Sequence, residues 1–239
     1  MGDLLLIVEG RDDIYVVSEL LKDHNLTSLR VAKDTGIYPL KLLFDKVPLD
    51  IIPAGSVDRA IEQFETRLKH GSDSPKAVGL IIDFDLPSGT QANNRDVTVQ
   101  NVIANLQNNE CHWNLQSGFT VLSHGGFIAE PANADTPRIG VWFMPNNRER
   151  GMLETFLHGL IPEAQVKLLD HARNSTDTAK REYQAPFKLV HQDKATVHTF
   201  LAWMDEPGHP FGQSFKNGSF DAKLAPACLF IEWIEKLFS

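Results

Sequence analysis

Ala77-Val78-Gly79-Leu80-Ile81-Ile82-Asp83-Phe84-Asp85 is a short apolar run that ends in two carboxylates one residue apart. Its length and branched residues read as a β-strand, and the lack of polar alternation predicts burial on both faces. A strand covered on both sides implies a mainly parallel α/β sheet flanked by helices. Side chains alternate along a strand, so Asp83 and Asp85 point the same way from its carboxyl end, where open α/β sheets place their ligands. Two carboxylates a few ångströms apart repel each other. A hard divalent cation, Mg²⁺ or Mn²⁺, removes that cost by taking oxygen ligands from both.

Upstream of this run, Leu4 to Val8 reads as the first strand, followed by Glu9-Gly10 and a helical pattern through Ile14, Val17, Leu20 and Leu21. Gly10 permits a tight turn, and the helix behind it offers N–H groups to an anion. Asp12 and Asp13 suit the first turn of a helix because they complement its dipole. Asp13, four residues after Glu9, is the better ligand candidate of the two. Ser28 to Ala32 suggests a short strand, while Leu40 to Phe44 is an apolar run without a clear assignment. Leu49 to Ile52 reads as a strand, and Ser56 caps a helix with Ile61, Phe64 and Leu68 on one face. Gly71 is the expected stop. Strand alternating with helix predicts successive βα units.

Beyond Asp85, Val99, Val102, Ile103 and Leu106 mark a helix, and Phe119 to Leu122 a strand. Cys111-His112 lacks a second pair at zinc spacing and reads as structural. His124-Gly125-Gly126 lacks the Lys-Ser/Thr ending of a phosphate loop. Ile139 to Met144 is the last clear sheet strand. Pro145-Asn146-Asn147 ends it before a helix beginning near Gly151, with Leu153, Phe156, Leu157 and Leu160 on its buried face. Glu154 lies off that stripe, placed to point back toward the strand ends. Pro162 opens a helix with Val166 and Leu169, and Asn174 to Glu182 is polar. The tail carries one helix through Val197, Phe200, Leu201 and Trp203 and another through Leu229, Phe230, Trp233, Ile234 and Leu237, whose aromatic spacing reads as core. Lys194 stands apart, because a lysine beside an acidic metal site stabilises charge developing on phosphate.

Composition bounds these readings. The chain has 239 residues, 42% hydrophobic and 23% charged, which suits one large globular domain or a domain with an extension. A net charge of -8 argues against a generally basic nucleic-acid binder and leaves such contacts to a local patch or a bound metal. Cys111 and Cys228 sit far apart, which fits a reducing compartment rather than a disulfide framework. Met1 to Gly10 carries an acid before a very short apolar run and resembles neither signal peptide nor membrane span. The expectation is a cytoplasmic protein with no membrane contact.

Taken together, Val8-Glu9-Gly10-Arg11-Asp12-Asp13, Ile82-Asp83-Phe84-Asp85 and Gly151-Met152-Leu153-Glu154 resemble the signature acids of the Toprim fold, shared by topoisomerases, DnaG-type primases and overcoming-lysogenization-defect nucleases. Trp142-Phe143-Met144-Pro145, Leu201-Ala202-Trp203, Pro207-Gly208 and Gly212-Gln213 are similar to an uncharacterised Toprim-related family of microbial proteins, over nearly the whole chain. This resemblance implies a Mg²⁺-dependent phosphodiester site. Glu9 would serve as general acid or base or as a metal ligand, and Asp83 and Asp85 would hold the metal. Likeness to the nuclease branch would add Asp13 and Glu154 for a second ion. Asn146 departs from the family pattern, in which an aspartate commonly follows the proline, and so weakens a second site.

The expected architecture is therefore a Toprim-like α/β domain over residues 1–160 with a helical extension over residues 161–239 packed on it. The expected activity is metal-dependent hydrolysis of DNA or RNA, in defence or nucleic-acid processing, with Glu9 and Lys194 as the reacting side chains. A homo-oligomer is compatible with it. The alternative is a non-catalytic Toprim module that binds a nucleotide or a partner protein.

Overall fold

The computed structural model describes residues 3–28, 39–68, 75–84, 120–123, 125–131 and 136–239. Its centre is the strand quoted above, β5 (Ala77–Asp83), in which Ala77 to Ile82 are all buried. Parallel neighbours flank it. β1 (Leu4–Val8) pairs with it from Leu4 opposite Ala77 to Val8 opposite Ile81, and β8 (Arg138–Met144) pairs from Arg138 opposite Ala77 to Met144 opposite Asp83. β4 (Val47–Pro53) lies parallel on the other side of β1. Helix α1 (Arg11–Asp23) follows β1, and helix α2 (Val57–Leu68) follows β4, where Ser56 Oγ accepts the Arg59 N–H at 3.4 Å as the expected cap.

The sheet is mixed rather than a run of βα units. Its order is β2-β3-β4-β1-β5-β8-β7-β6, with β2 (Thr27–Ser28) and β3 (Leu40–Phe44) antiparallel at one edge, and β7 (Phe127–Ala129) and β6 (Thr120–Val121) antiparallel at the other. The run from Leu40 to Phe44 thus forms a hairpin with β4. Asp45 and Lys46, both at positive φ (41° and 72°), make the two-residue turn. That backbone matches strand twist, but its sequence is not the Asn-Gly or Asp-Gly that advertises it. Of the strand expected over Ser28 to Ala32, Ser28 lies in β2 and the remaining residues lie outside those described. Asp85, Val99 to Leu106, Cys111-His112, Phe119, His124 and Gly71 lie outside the described residues.

Alternate residues of the central strands feed two buried clusters, one per face. Leu5, Ile7, Val78, Leu80, Ile82, Ile139, Val141 and Phe143 pack with Ala60 and Phe64 of α2. Leu4, Leu6, Val8, Ile81, Trp142 and Met144 face α1 and the helices of the tail. These are α3 (Leu153–His158), α4 (Val166–Glu182), α5 (Gln192–Ala202), α6 (Phe211–Lys216) and α7 (Ala225–Phe238). α4 runs through the polar stretch Asn174 to Glu182, because burying Leu169, Ala172 and Thr176 along one stripe is enough to hold it. α7 lies directly on the sheet. Gly79 and Gly140 are opposite each other in β5 and β8, and a Cβ on either would come within 3.0 Å of Leu237. Their missing side chains form the trough that seats Trp233 and Leu237. Among the described residues, no helix is long and apolar enough to cross a membrane.

Candidate functional site

Parallel register brings the ends of β1 and β5 to one edge of the sheet, where the Asp83 N–H points at Glu9 Oε2 at 3.4 Å. The backbone of Glu9 is fixed from the other side: Gly55 donates its N–H to the Glu9 carbonyl at 2.7 Å and does so at φ 91°, a conformation that favours glycine. Gly10 then caps α1 in an extended conformation and donates its N–H to Asp13 Oδ2 at 2.9 Å. A Cβ at Gly10 would sit 3.1 Å from that oxygen. Close approach explains the glycine.

Asp13 is buried, with 6% exposure. Burial raises its pKa, Glu9 and Glu154 add to the rise, and the Gly10 N–H opposes it, leaving the carboxyl pushed up to about 7. A buried carboxyl surrounded by further acids therefore takes up a proton near neutrality. Asp13 does stand in the first turn of α1, as expected of an acid on the helix dipole, but buried rather than in water.

The fourth acid, Glu154, arrives through a loop that returns to the same edge. Phe84 accepts the Gly151 N–H at 2.8 Å in an antiparallel bridge, which sets the start of α3 against the end of β5. Asp83 Oδ1 then accepts the Leu153 N–H at 3.0 Å, in the first turn of α3. Gly151 has no room for a side chain, since a Cβ would lie 2.7 Å from Thr155 Oγ1. Glu154, 4% exposed, is buried beside this junction and pairs with Lys194 at 3.1 Å. Burial alone would lower the Lys194 pKa, but the attraction and hydrogen bond of Glu154, with Asp12 and Asp83 beyond, raise it. The ammonium serves as the internal counter-ion of the cluster.

Asp193 and Thr155, which the sequence did not single out, lock this arrangement. Thr155 Oγ1 donates to Asp193 Oδ2 at 2.5 Å and accepts the Met152 N–H at 3.1 Å, so neighbouring residues of α5 grip both Thr155 and Glu154. His158 Nδ1 lies 3.9 Å from Asp193 Oδ1, and burial pushes the ring below its ordinary pKa despite that neighbour. No periodicity links positions 155 and 193; only the packing of α3 on α5 does. Asn146 serves the turn after β8, where its Oδ1 accepts the Arg148 and Glu149 N–H groups at 3.2 and 2.9 Å.

Glu9, Asp13, Asp83, Glu154 and Lys194 thus meet at one edge, whereas Asp85 lies outside the described residues. Among the described residues, no group of three or more His, Cys, Asp or Glu side chains is gathered as a metal cage. Their present hydrogen bonds explain why: Asp13 turns to Gly10, Asp83 Oδ1 to Leu153, and Glu154 to Lys194. The donor set is nonetheless all carboxylate oxygen with excess negative charge, which suits Mg²⁺ or Mn²⁺ and not a soft metal.

No curated protein matches the chain. The crystal structure of hypothetical protein PH0156 from Pyrococcus horikoshii OT3 is similar at a TM-score of 0.46, with 14% identity, covering 98% of this chain and 95% of that one. A family described as "Protein of unknown function (DUF3226)" matches residues 3–239, and the chain belongs to that family.

Proposed function

We propose that the chain is a Toprim-like, Mg²⁺- or Mn²⁺-dependent phosphodiesterase acting on DNA or RNA, in defence or nucleic-acid processing. The observation that carries this reading is the convergence of Glu9, Asp13, Asp83 and Glu154 with Lys194 at the carboxyl edge of β1 and β5. Glu9, Asp83 and Asp85 would hold the metal, and Asp13 with Glu154 a second ion. When bound, the metal polarises a phosphoryl oxygen and lowers the pKa of a water. Lys194 faces the same acids and supplies fixed positive charge for a phosphate entering the edge. Glu9 is the carboxylate suited to take a proton; Asp13, raised to about 7 in the metal-free site, would give up its proton on binding an ion.

A second reading, a non-catalytic module that binds a nucleotide or a partner protein, draws support from the same charges. Lys194 already pairs with Glu154, and Asp13 relieves the remaining repulsion by taking a proton. Calorimetric titration with Mn²⁺ separates the two. The phosphodiesterase reading expects binding in the wild type and its loss in Glu9→Gln and Asp83→Asn; no binding in the wild type favours the module.

A further inference from the structure

The connection between α4 and α5 displays apolar surface on an ordered scaffold. Tyr183 is 78% and Leu189 73% exposed, the two most exposed large hydrophobic residues among those described. The loop that carries them is not slack. Lys180 Nζ donates to the carbonyls of Ala185 and Phe187 at 2.9 and 2.5 Å and lies 5.2 Å from the centre of the Phe187 ring. Ala185 donates to the Ala179 carbonyl at 3.0 Å, with Gln184 between them at φ 54°. A loop fixed in this way holds the Tyr183 ring outward instead of folding it onto the helices.

Charge at this tip runs against the rest of the molecule. From Val166 to Lys194 there are six Lys and Arg against four Asp and Glu, whereas the whole chain has 23 against 31. Arg181, two residues before Tyr183, and Lys188, five residues after it, are exposed, as is Glu182 next to the ring. The tip also adjoins the acids. A single 3₁₀ turn (Leu189–His191) joins it to α5, whose Asp193 and Lys194 hold Thr155 and Glu154. At the rise of these helices, Lys188 is about 10 Å along the chain axis from Lys194.

We infer that this tip is a platform for single-stranded nucleic acid, with Tyr183 stacking on a base and Arg181 and Lys188 on the flanking phosphates. It rests on the phosphodiesterase reading for the site to which the strand leads. An exposed ring on a segment that also exposes Arg181 and Lys188 suits an unpaired base, because a duplex keeps its base faces stacked inside and offers mainly phosphates and groove edges. A preorganised ring also binds with little ordering cost.

The test is fluorescence anisotropy with a labelled 20-residue oligothymidylate and a duplex of equal length, in EDTA so that no cleavage occurs. Expected results are binding of the single strand several-fold tighter than the duplex, roughly tenfold weakening in Tyr183→Ala, and near wild-type binding in Tyr183→Phe. Lys188→Ala should reduce the slope of log affinity against log salt by about 0.7. Equal affinity for duplex, no binding of either, or indifference to Tyr183→Ala would overturn the platform. So would sedimentation showing a dimer that Tyr183→Ala dissociates while oligonucleotide binding is unchanged. Cleavage in Mn²⁺ that ignores Tyr183→Ala at subsaturating substrate would also overturn the platform, yet leave the carboxylate reading standing. Tyr183-dependent binding without any cleavage would support the platform and remove the phosphodiesterase.

Discussion

Asp83 Oδ1 accepts the backbone N–H of Leu153 at 3.0 Å, joining the end of the central strand to the first turn of α3. One carboxylate thus orients Glu154 as well as itself. Asp83→Ala removes the acceptor and should cost about 1 kcal/mol, as loss of a helix cap does, whereas Asp83→Asn keeps an oxygen there and should cost less. Hydrogen exchange at the Leu153 amide is the readout. Faster exchange in Asp83→Ala than in Asp83→Asn is expected; equal rates in both would mean that this hydrogen bond does not hold the helix.

Asp13 gives a pH dependence with a definite sign. Its carboxyl titrates at about 7 in the folded chain, chiefly through burial, against about 3.9 when unfolded. Between those values the folded protein holds a proton that the unfolded chain has released. Stability should therefore fall as pH rises from about 4 to 7 and level off above, by an amount on the order of 1–4 kcal/mol. His158 acts in the opposite sense: burial pushes it down, so its contribution is full above about 6.5 and is lost as pH falls. Comparing wild type with Asp13→Asn in EDTA cancels the His158 part. Urea melts should show the variant gaining on the wild type as pH rises through this window, and parallel curves would remove the buried-proton account.

Gly79 and Gly140 should resist even small side chains. A Cβ at Gly79 falls 2.5 Å from Leu6 Cδ1 and 2.8 Å from Leu237 Cδ2. Overpacking of this kind costs roughly 1–3 kcal/mol, or several degrees in melting temperature. Leu237→Ala should relieve part of the Gly79→Ala penalty, so the double variant should be more stable than the two single losses predict. Strict additivity would mean that α7 does not seat in this trough.

How much of this was legible follows from where the signals lie. β1, β5 and β8 are apolar runs buried on both faces, and the acids at the ends of β1 and β5, Glu9 and Asp83, stand out because each follows or closes such a run. The hairpin of β3 and β4 was missed because Asp45-Lys46 adopts positive φ without a glycine to announce it. The second half of α4 reads in sequence only as a polar stretch, since Thr176 packs inward through a 3.1 Å hydrogen bond to Thr196 rather than through an apolar group. Asp193 gave no signal at all. Its partner Thr155 is 38 residues away and is met only once α5 folds onto α3.

Lys194 distinguishes chemistry from binding. Glu154 is 5% exposed at its side chain and Lys194 49%, so Lys194→Ala leaves a buried carboxylate without its cation. Because the lysine end is half in water, the cost should be modest, about 1 kcal/mol. Removing a positive charge from the acids should leave the Mn²⁺-induced rise in melting temperature intact or larger, while cleavage falls at least a hundredfold. A lost melting shift would make Lys194 part of the scaffold and not of the chemistry.

The most direct measurement is a cleavage assay on single- and double-stranded DNA and RNA in Mg²⁺ and in Mn²⁺, run in parallel on wild type, Glu9→Gln and Asp83→Asn. The wild type should cleave at least one substrate with a divalent cation and none in EDTA, and both variants should fold and lose that activity. A wild type inactive on every substrate and with either metal, or variants that cut at the wild-type rate, would contradict a phosphodiester site at these acids.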